Sequence, residues 1–172
     1  MRPARPLLAT ALAALLCAPA ASSAADPPVT RVAIAKGAHT LTLYAGDRPR
    51  KTYTVAIGPG GSGPKHREGD KITPVGHYKI TMHQPSQFSL FLRLDYPSAA
   101  DWARFNASKQ SGELPKGATI GGDIGIHGTG NPEWTGIHKL TDWTLGCVAL
   151  DNDEIAEIAA QVKDGTPVDI SD

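Results

Sequence analysis

A chain of 172 residues has room for one domain with a real core, and 41% hydrophobic with 20% charged residues excludes disorder or a fibrous repeat. Seventeen basic residues balance seventeen acidic ones, and no basic stripe is interleaved with aromatics. Charge therefore names no partner and argues against nucleic acid. The first elements in chain order concern export. Arg2 and Arg5 form a positive start, residues 7–16 an apolar run and 18–25 a small-residue stretch, which together read as a secretory signal cleaved after Ala24 or Ala25. The run is too short to span a membrane. The rival reading, a lipoprotein anchored through Cys17, is disfavoured because Leu16 is too large for a typical lipobox. The expected organisation is a signal peptide over 1–25, a Pro-stiffened leader over 26–31 and one domain over 32–170. The mature form is expected to be mildly acidic, exported and monomeric, with no integral membrane segment.

From Thr30 the pattern is short strands punctuated by turns. Residues 32–34 are followed by 40–44, where β-branched and aromatic residues alternate. Gly46-Asp47 supplies a turn and 51–57 continues as a strand, giving a hairpin. Segments 75–82 and 90–94 read as two more strands, 98–106 as a short helix carrying Trp102 and Phe105, and 120–127 as a further strand. The helix near 151–163 has the strongest local signal. Asp151 caps it, Glu154 completes a capping box, and Ile155, Ile158, Ala159 and Val162 form one apolar stripe. Gly165 and Pro167 end it, and 168–170 reads as a last strand. The fold class is thus mainly β, sandwich- or barrel-like, with one or two short helices.

Two stretches fail motif tests. Residues 58–63 have the glycine spacing of a phosphate loop, but Pro64 stands where the lysine belongs and no helix follows, so they read as a mobile surface loop. His127, His138 and Cys147 match no common zinc spacing and have no fourth ligand nearby, so no metal is expected.

Once the signal is removed, Cys147 has no intramolecular disulfide partner in an oxidising compartment. It is then a buried small hydrophobe, an intermolecular disulfide, or a nucleophile. Its surroundings favour the last. Gly146 lets the backbone approach a substrate closely, Thr144 adds a hydroxyl to the turn, and the N–H groups of Gly146 and Cys147 are candidates to face an oxyanion. Twenty residues earlier the apolar strand ends in His127-Gly128. Alternation puts Ile124 and Ile126 on one face and His127 on the other, away from the packed side, as a base requires.

His127-Gly128 followed by Asp142-Trp143-Thr144-Leu145-Gly146-Cys147-Val148-Ala149 resembles the signature of the L,D-transpeptidase family with a YkuD-type catalytic domain. The segment Thr73-Pro74-Val75-Gly76-His77-Tyr78 and the stretches 40–44, 65–70 and 94–97 are also similar to that family, so the resemblance covers about 32–170. It implies a β-rich enzyme acting on peptidoglycan stem peptides in the periplasm or cell envelope. By it, Cys147 attacks a carbonyl of a tetrapeptide donor and forms a thioester, His127 takes the thiol proton, and an amine acceptor resolves the thioester. No metal or organic cofactor is implied, and carbapenem-type β-lactams are expected to acylate Cys147. Two positions depart from the commoner pattern. Leu145 stands where His or Arg precedes the Gly-Cys pair, and Ala149 where an Arg follows it, which leaves the donor contacts in question. Trp143 and His138 are the candidates to compensate, and with Gly128 they complete the expected substrate-binding set.

Three other readings compete. A peptidoglycan amidase or peptidase would use the same Cys-His pair with water as acceptor. A non-catalytic wall-binding module would keep the cleft without turnover. A papain-like protease is disfavoured because its cysteine precedes its histidine in the chain.

Overall fold

Alternating side chains build the first two strands, and a third pairs at the edge. In the computed structural model, which describes residues 27–172 and so leaves the expected signal peptide outside the described residues, β1 spans Arg31–Ala35, β2 Thr40–Ala45 and β3 Arg48–Thr54. Val32, Ile34, Leu41 and Leu43 are buried while their neighbours are not, the period of two that a sheet with one packed face imposes. β2 and β3 form the expected antiparallel hairpin, closed by Gly46-Asp47 with Gly46 at φ 58°. β3 lies at the sheet edge, which is where Pro49, lacking an N–H, is tolerated.

The last strand enters the middle of the sheet. β4 spans Gly76–Ser86, β5 Ser89–Leu94, β6 Gly125–His127, β7 Val148–Ala149 and β8 Pro167–Ser171. The order is β3-β2-β1-β8-β4-β5-β6-β7, with β8 parallel to β1 and antiparallel to β4. The long β4 serves both halves: Gly76 to Lys79 pair with β8, and Ile80 to Ser86 pair with β5 across a register shift. The fold is therefore mainly β, as expected, but built as one eight-stranded order with a shared strand.

The two helices differ in how well their ends follow from sequence. α2, Asn152–Gln161, carries the expected stripe: Ile155 and Ile158 are fully buried, Val162 nearly so, and Ala159 packs beside them. Glu154 accepts the Asp151 N–H at 3.0 Å. α1, Ala99–Ser111, runs five residues past the predicted end at Asn106. Its apolar signal stops at Phe105, but nothing breaks the backbone until Gly112, which caps it at φ 78°.

Two expectations fail here. The strand predicted over 120–127 shrinks to Gly125–His127 because Gly121 and Asp123, at φ 79° and 55°, interrupt the extended run. The 58–63 segment is a tied loop, not a loose one: the Gly58 N–H donates to Thr73 Oγ1 at 3.0 Å, the Gly60 N–H to Lys71 O at 3.0 Å and the Gly63 N–H to Asp172. Among the described residues no helix is long and apolar enough to cross a membrane.

Candidate active site

The cysteine turn is shaped by its own threonine. Thr144 Oγ1 donates to the Cys147 carbonyl at 2.7 Å and accepts the Gly146 N–H at 3.2 Å, closing residues 144–147 into a loop. Gly146 sits at φ 130°, and a Cβ there would lie 2.8 Å from Ile72 O and 3.0 Å from Ile124 Cδ1. Only glycine fits. The turn is held from outside by the chain after β3. The Trp143 and Thr144 N–H groups donate to Ile57 O at 3.1 and 3.2 Å, Ala56 and Ala149 exchange backbone hydrogen bonds, and Asp142 Oδ1 accepts the Ile57 N–H at 3.0 Å. Thr73, fully buried, accepts from Gly58 and donates to Cys147 O at 3.4 Å, so the Thr-Pro segment pins the same turn.

β6 and β7 bring the histidine to the cysteine. In their parallel register Val148 lies opposite Ile126 and Ala149 opposite His127. Cys147, two residues before Ala149, therefore shares His127's face. Both line one cleft of about 660 Å³, together with Lys65, Phe88, Arg93 and Trp143. His127 Nδ1 lies 2.6 Å from Gly128 O. A carbonyl only accepts, so Nδ1 carries the proton, and neutral His127 keeps Nε2 as a base.

The environment keeps both groups neutral. Burial holds the His127 imidazole below its ordinary range, against the opposing pull of the Gly128 carbonyl. Burial pushes the Cys147 thiol up to about 11, opposed by the Gly125 N–H and the Lys65 ammonium. Both shifts favour the uncharged forms, a thiol and a neutral imidazole lining one cleft. The Cys147 S–H points at Asp123 O, 3.5 Å away.

Several placements differ from the sequence reading. His127 does not face away from packed side chains. It is 3% exposed and enclosed by the rings of Phe88, Phe91 and Trp143 at 4.7, 6.1 and 5.8 Å. Phe91 is its cross-strand partner, and Gly125 leaves room for that ring, since a Cβ there would lie 2.5 Å from Phe91 Cζ. Gly128 is not a cleft residue: it packs on α2, where a Cβ would lie 2.4 Å from Asn152 Oδ1. Asn152 Oδ1 also accepts the Thr129 and Gly130 N–H groups, so α2 anchors the turn after His127. The Gly146 N–H is turned inward onto Thr144. His138 is buried behind Trp143, its Nε2 3.1 Å from Asp151 Oδ1, and does not line the cleft. Leu145 stands exposed at the rim, while Ala149 is buried on β7, paired with Ala56 and His127.

Among the cleft residues to which motif reasoning gave no role are Lys65, Phe88, Phe91 and Arg93. Lys65 belongs to a segment already similar to the family, and its buried pairing with Asp70 is its only further signal. Phe88 and Phe91 carry none: Phe91 is placed by strand register opposite His127, and Phe88 by the turn between β4 and β5.

The L,D-transpeptidase catalytic domain family, YkuD, matches residues 30–170. The chain is 32% identical over 144 residues to YkuD of Bacillus licheniformis, covering 82% of this chain and 65% of that protein's length. Among solved structures, the helical cell shape determining protein Pgp2 of Campylobacter jejuni aligns with a TM-score of 0.61 at 24% identity, over 84% of this chain and 48% of that one. An L,D-transpeptidase of Mycobacterium smegmatis aligns with a TM-score of 0.54 at 14% identity, over 84% of this chain and 59% of that one. At those identities the structural matches speak for the fold alone. The matched span runs from the residue before β1 to the penultimate residue of β8 and takes in the whole cysteine-histidine cleft. The chain therefore belongs to the YkuD family of L,D-transpeptidase catalytic domains.

Proposed function

We propose that this chain is an exported, monomeric L,D-transpeptidase that transfers an acyl group between peptidoglycan stem peptides through Cys147. The observation that carries this reading is the Cys147–His127 cleft, in which the Gly128 carbonyl holds His127 in the tautomer whose Nε2 accepts a proton. The reaction begins as Cys147 attacks the carbonyl at the donor's scissile bond while its proton passes to His127 Nε2. Oxyanion stabilisation falls to the Cys147 N–H, because Thr144 engages the Gly146 N–H. The tetrahedral adduct collapses, the C–N bond breaks, and the leaving amine takes the proton from the imidazolium. An acceptor amine then attacks the thioester and gives its proton to His127, and as the C–S bond breaks the imidazolium returns that proton to the Cys147 sulfur. Two cations line the cleft wall although Ala149 and Leu145 stand where the commoner pattern has Arg and His: Lys65, paired with Asp70, and Arg93, paired with Asp123. Export would bring the site to this substrate, and the secretory pattern read in the sequence of residues 1–25 supports that reading.

The test is to incubate protein beginning at Asp26 with purified tetrapeptide muropeptides and follow masses. Cross-linked dimers, or exchange of the terminal residue for an added D-amino acid, are expected. Trimmed stems alone would replace the transferase with a hydrolase using the same pair. An unchanged substrate together with a Cys147 that resists thiol reagents would overturn both.

A further inference from the structure

Both backbone polar groups of Ile57 are engaged by three consecutive residues ahead of the cysteine. The Ile57 N–H donates to Asp142 Oδ1 at 3.0 Å, and its carbonyl accepts the Trp143 and Thr144 N–H groups at 3.1 and 3.2 Å. Ile57 is itself fixed, since it is buried and follows Ala56, which exchanges backbone hydrogen bonds with Ala149. The two ends of this clamp differ in kind. The bonds to the Ile57 carbonyl are backbone bonds that need no particular side chain, whereas the bond from its N–H exists only through the Asp142 carboxylate. Hydrogen bonds to a carboxylate are also stronger than those between neutral groups. What the clamp fixes bears on both catalytic side chains. Trp143 lies edge-on to His127 at 5.8 Å, and Thr144 closes the 144–147 turn through Cys147 O and the Gly146 N–H. Asp142 Oδ2 is held in turn by His39 Nε2, 3.1 Å away on the turn between β1 and β2. His39 has φ 51°, a left-handed conformation that histidine adopts more readily than most residues. Its own N–H and carbonyl bond Lys36 O and the Val55 N–H at 3.1 and 2.9 Å. Neither Asp142 nor His39 lines the cleft of Cys147; both lie on a second cavity of about 230 Å³ behind the turn.

Resting on the function proposed above, we infer that Asp142 is a positioning residue for the nucleophile and that His39 holds it in place. By gripping the Ile57 N–H, Asp142 fixes the entry of the cysteine turn, and with it where Thr144 and Trp143 hold Cys147 and His127. It acts by geometry and not by charge, so an uncharged side chain of the same shape will serve. His39 contributes less, because its side chain is 44% exposed and partly exposed pairs hold weakly.

The experiment measures kcat and KM for Cys147 thioester formation from a tetrapeptide donor, beside the rate of Cys147 alkylation by iodoacetamide at one pH. Each variant is assayed well below its own melting transition. Asp142→Ala removes the acceptor of the Ile57 N–H and should lower kcat about 10- to 100-fold, as a displacement near 1 Å does, with KM within about threefold. The same variant should alkylate at least about threefold faster, because a loosened turn opens the thiol. Asp142→Asn keeps an acceptor oxygen for Ile57 and should bring both readouts within about threefold of wild type. His39→Asn suits the left-handed backbone but is too short to reach Asp142. It should lower kcat about two- to fivefold, with no further loss in the Asp142→Ala background. Full kcat in Asp142→Ala overturns the inference. So does an Asp142→Asn variant as slow as Asp142→Ala, which would make the charge the acting feature. A loss carried by KM alone would place Asp142 in donor binding and also overturn it. If Asp142→Ala does not fold, the other two variants decide: a large loss in Asp142→Asn or an unchanged kcat in His39→Asn overturns the inference. A wild-type chain that no donor acylates strikes the proposed function instead, and the clamp is then judged by alkylation, an unaltered rate in Asp142→Ala overturning it.

Discussion

His127 and His138 flank the same ring. Each meets Trp143 edge-on, at 5.8 and 6.3 Å, each is buried, and burial holds each imidazole below its ordinary range. They differ in what orients them. His127 Nδ1 donates to a backbone carbonyl and its other nitrogen faces a cleft shared with a thiol. His138 Nε2 bonds Asp151, whose carboxylate also takes Lys139 Nζ at 2.7 Å and the Gly136 N–H at 2.7 Å. Burial and a low pKa alone therefore do not mark a base. The open nitrogen beside a nucleophile does.

The largest effects belong on the His127 side. Cys147→Ala should abolish thioester formation with the fold intact, seen as no mass adduct from donor or from a carbapenem. His127→Ala should lower kcat/KM about 10²–10⁴-fold, the range for a lost general base. Comparable activity in either variant would erase the distinction between the two histidines.

The next effect concerns the ring between them. Trp143→Ala removes a wall of the His127 enclosure, and a shift of about 1 Å in a catalytic group costs on the order of 10²-fold in rate. A loss in kcat with little change in KM would place the effect on orientation. Unchanged kcat would mean that Phe88 and Phe91 hold the imidazole without it.

The pH profile separates a neutral pair from an ion pair. Only unprotonated His127 accepts the thiol proton, and burial depresses its pKa from 6.5. Activity should therefore hold as pH falls to 6.5 and decline only below it. Cys147, pushed up to about 11, should react with iodoacetamide ever faster as pH rises through 8 to 10. An alkylation rate that levels off by pH 7 would reveal a preformed thiolate–imidazolium pair.

Much of this contrast was written in the sequence, and its limits are physical. Strand alternation gave β1 and β2, and the α2 stripe gave its buried face, because both depend on local periodicity. By contrast β3, expected over 51–57, runs over Arg48–Thr54 without alternating burial. The Gly-Cys turn and the His-Gly pair were legible as residue types that suit nucleophilic chemistry. His138 and Gly128 were not placed correctly, because their surroundings come from Asp151 and Asn152 at the start of a helix that the sequence marks only as capped. Lys65, Phe88 and Phe91 reach the cleft through tertiary pairing, for which spacing along the chain carries no signal.

The smallest expected effect on activity is at His138. His138→Gln keeps a donor for Asp151 and leaves the cleft lining untouched, so kcat/KM should stay within about threefold of wild type. His138→Ala removes the donor and leaves a void behind Trp143, so it should destabilise the fold by about 1–3 kcal/mol, read by denaturant midpoint. Acid should separate these variants further. The folded pKa of His138 lies below the unfolded value, so unfolded chains bind the extra proton as pH falls through 6.5, and the folded state loses stability there. Removing the imidazole removes that contribution, so the variants should lose less melting temperature between pH 7 and 5 than the wild type does. A steeper loss would mean that protonated His138 gains more from Asp151 than burial takes away, and that this histidine is held as a cation.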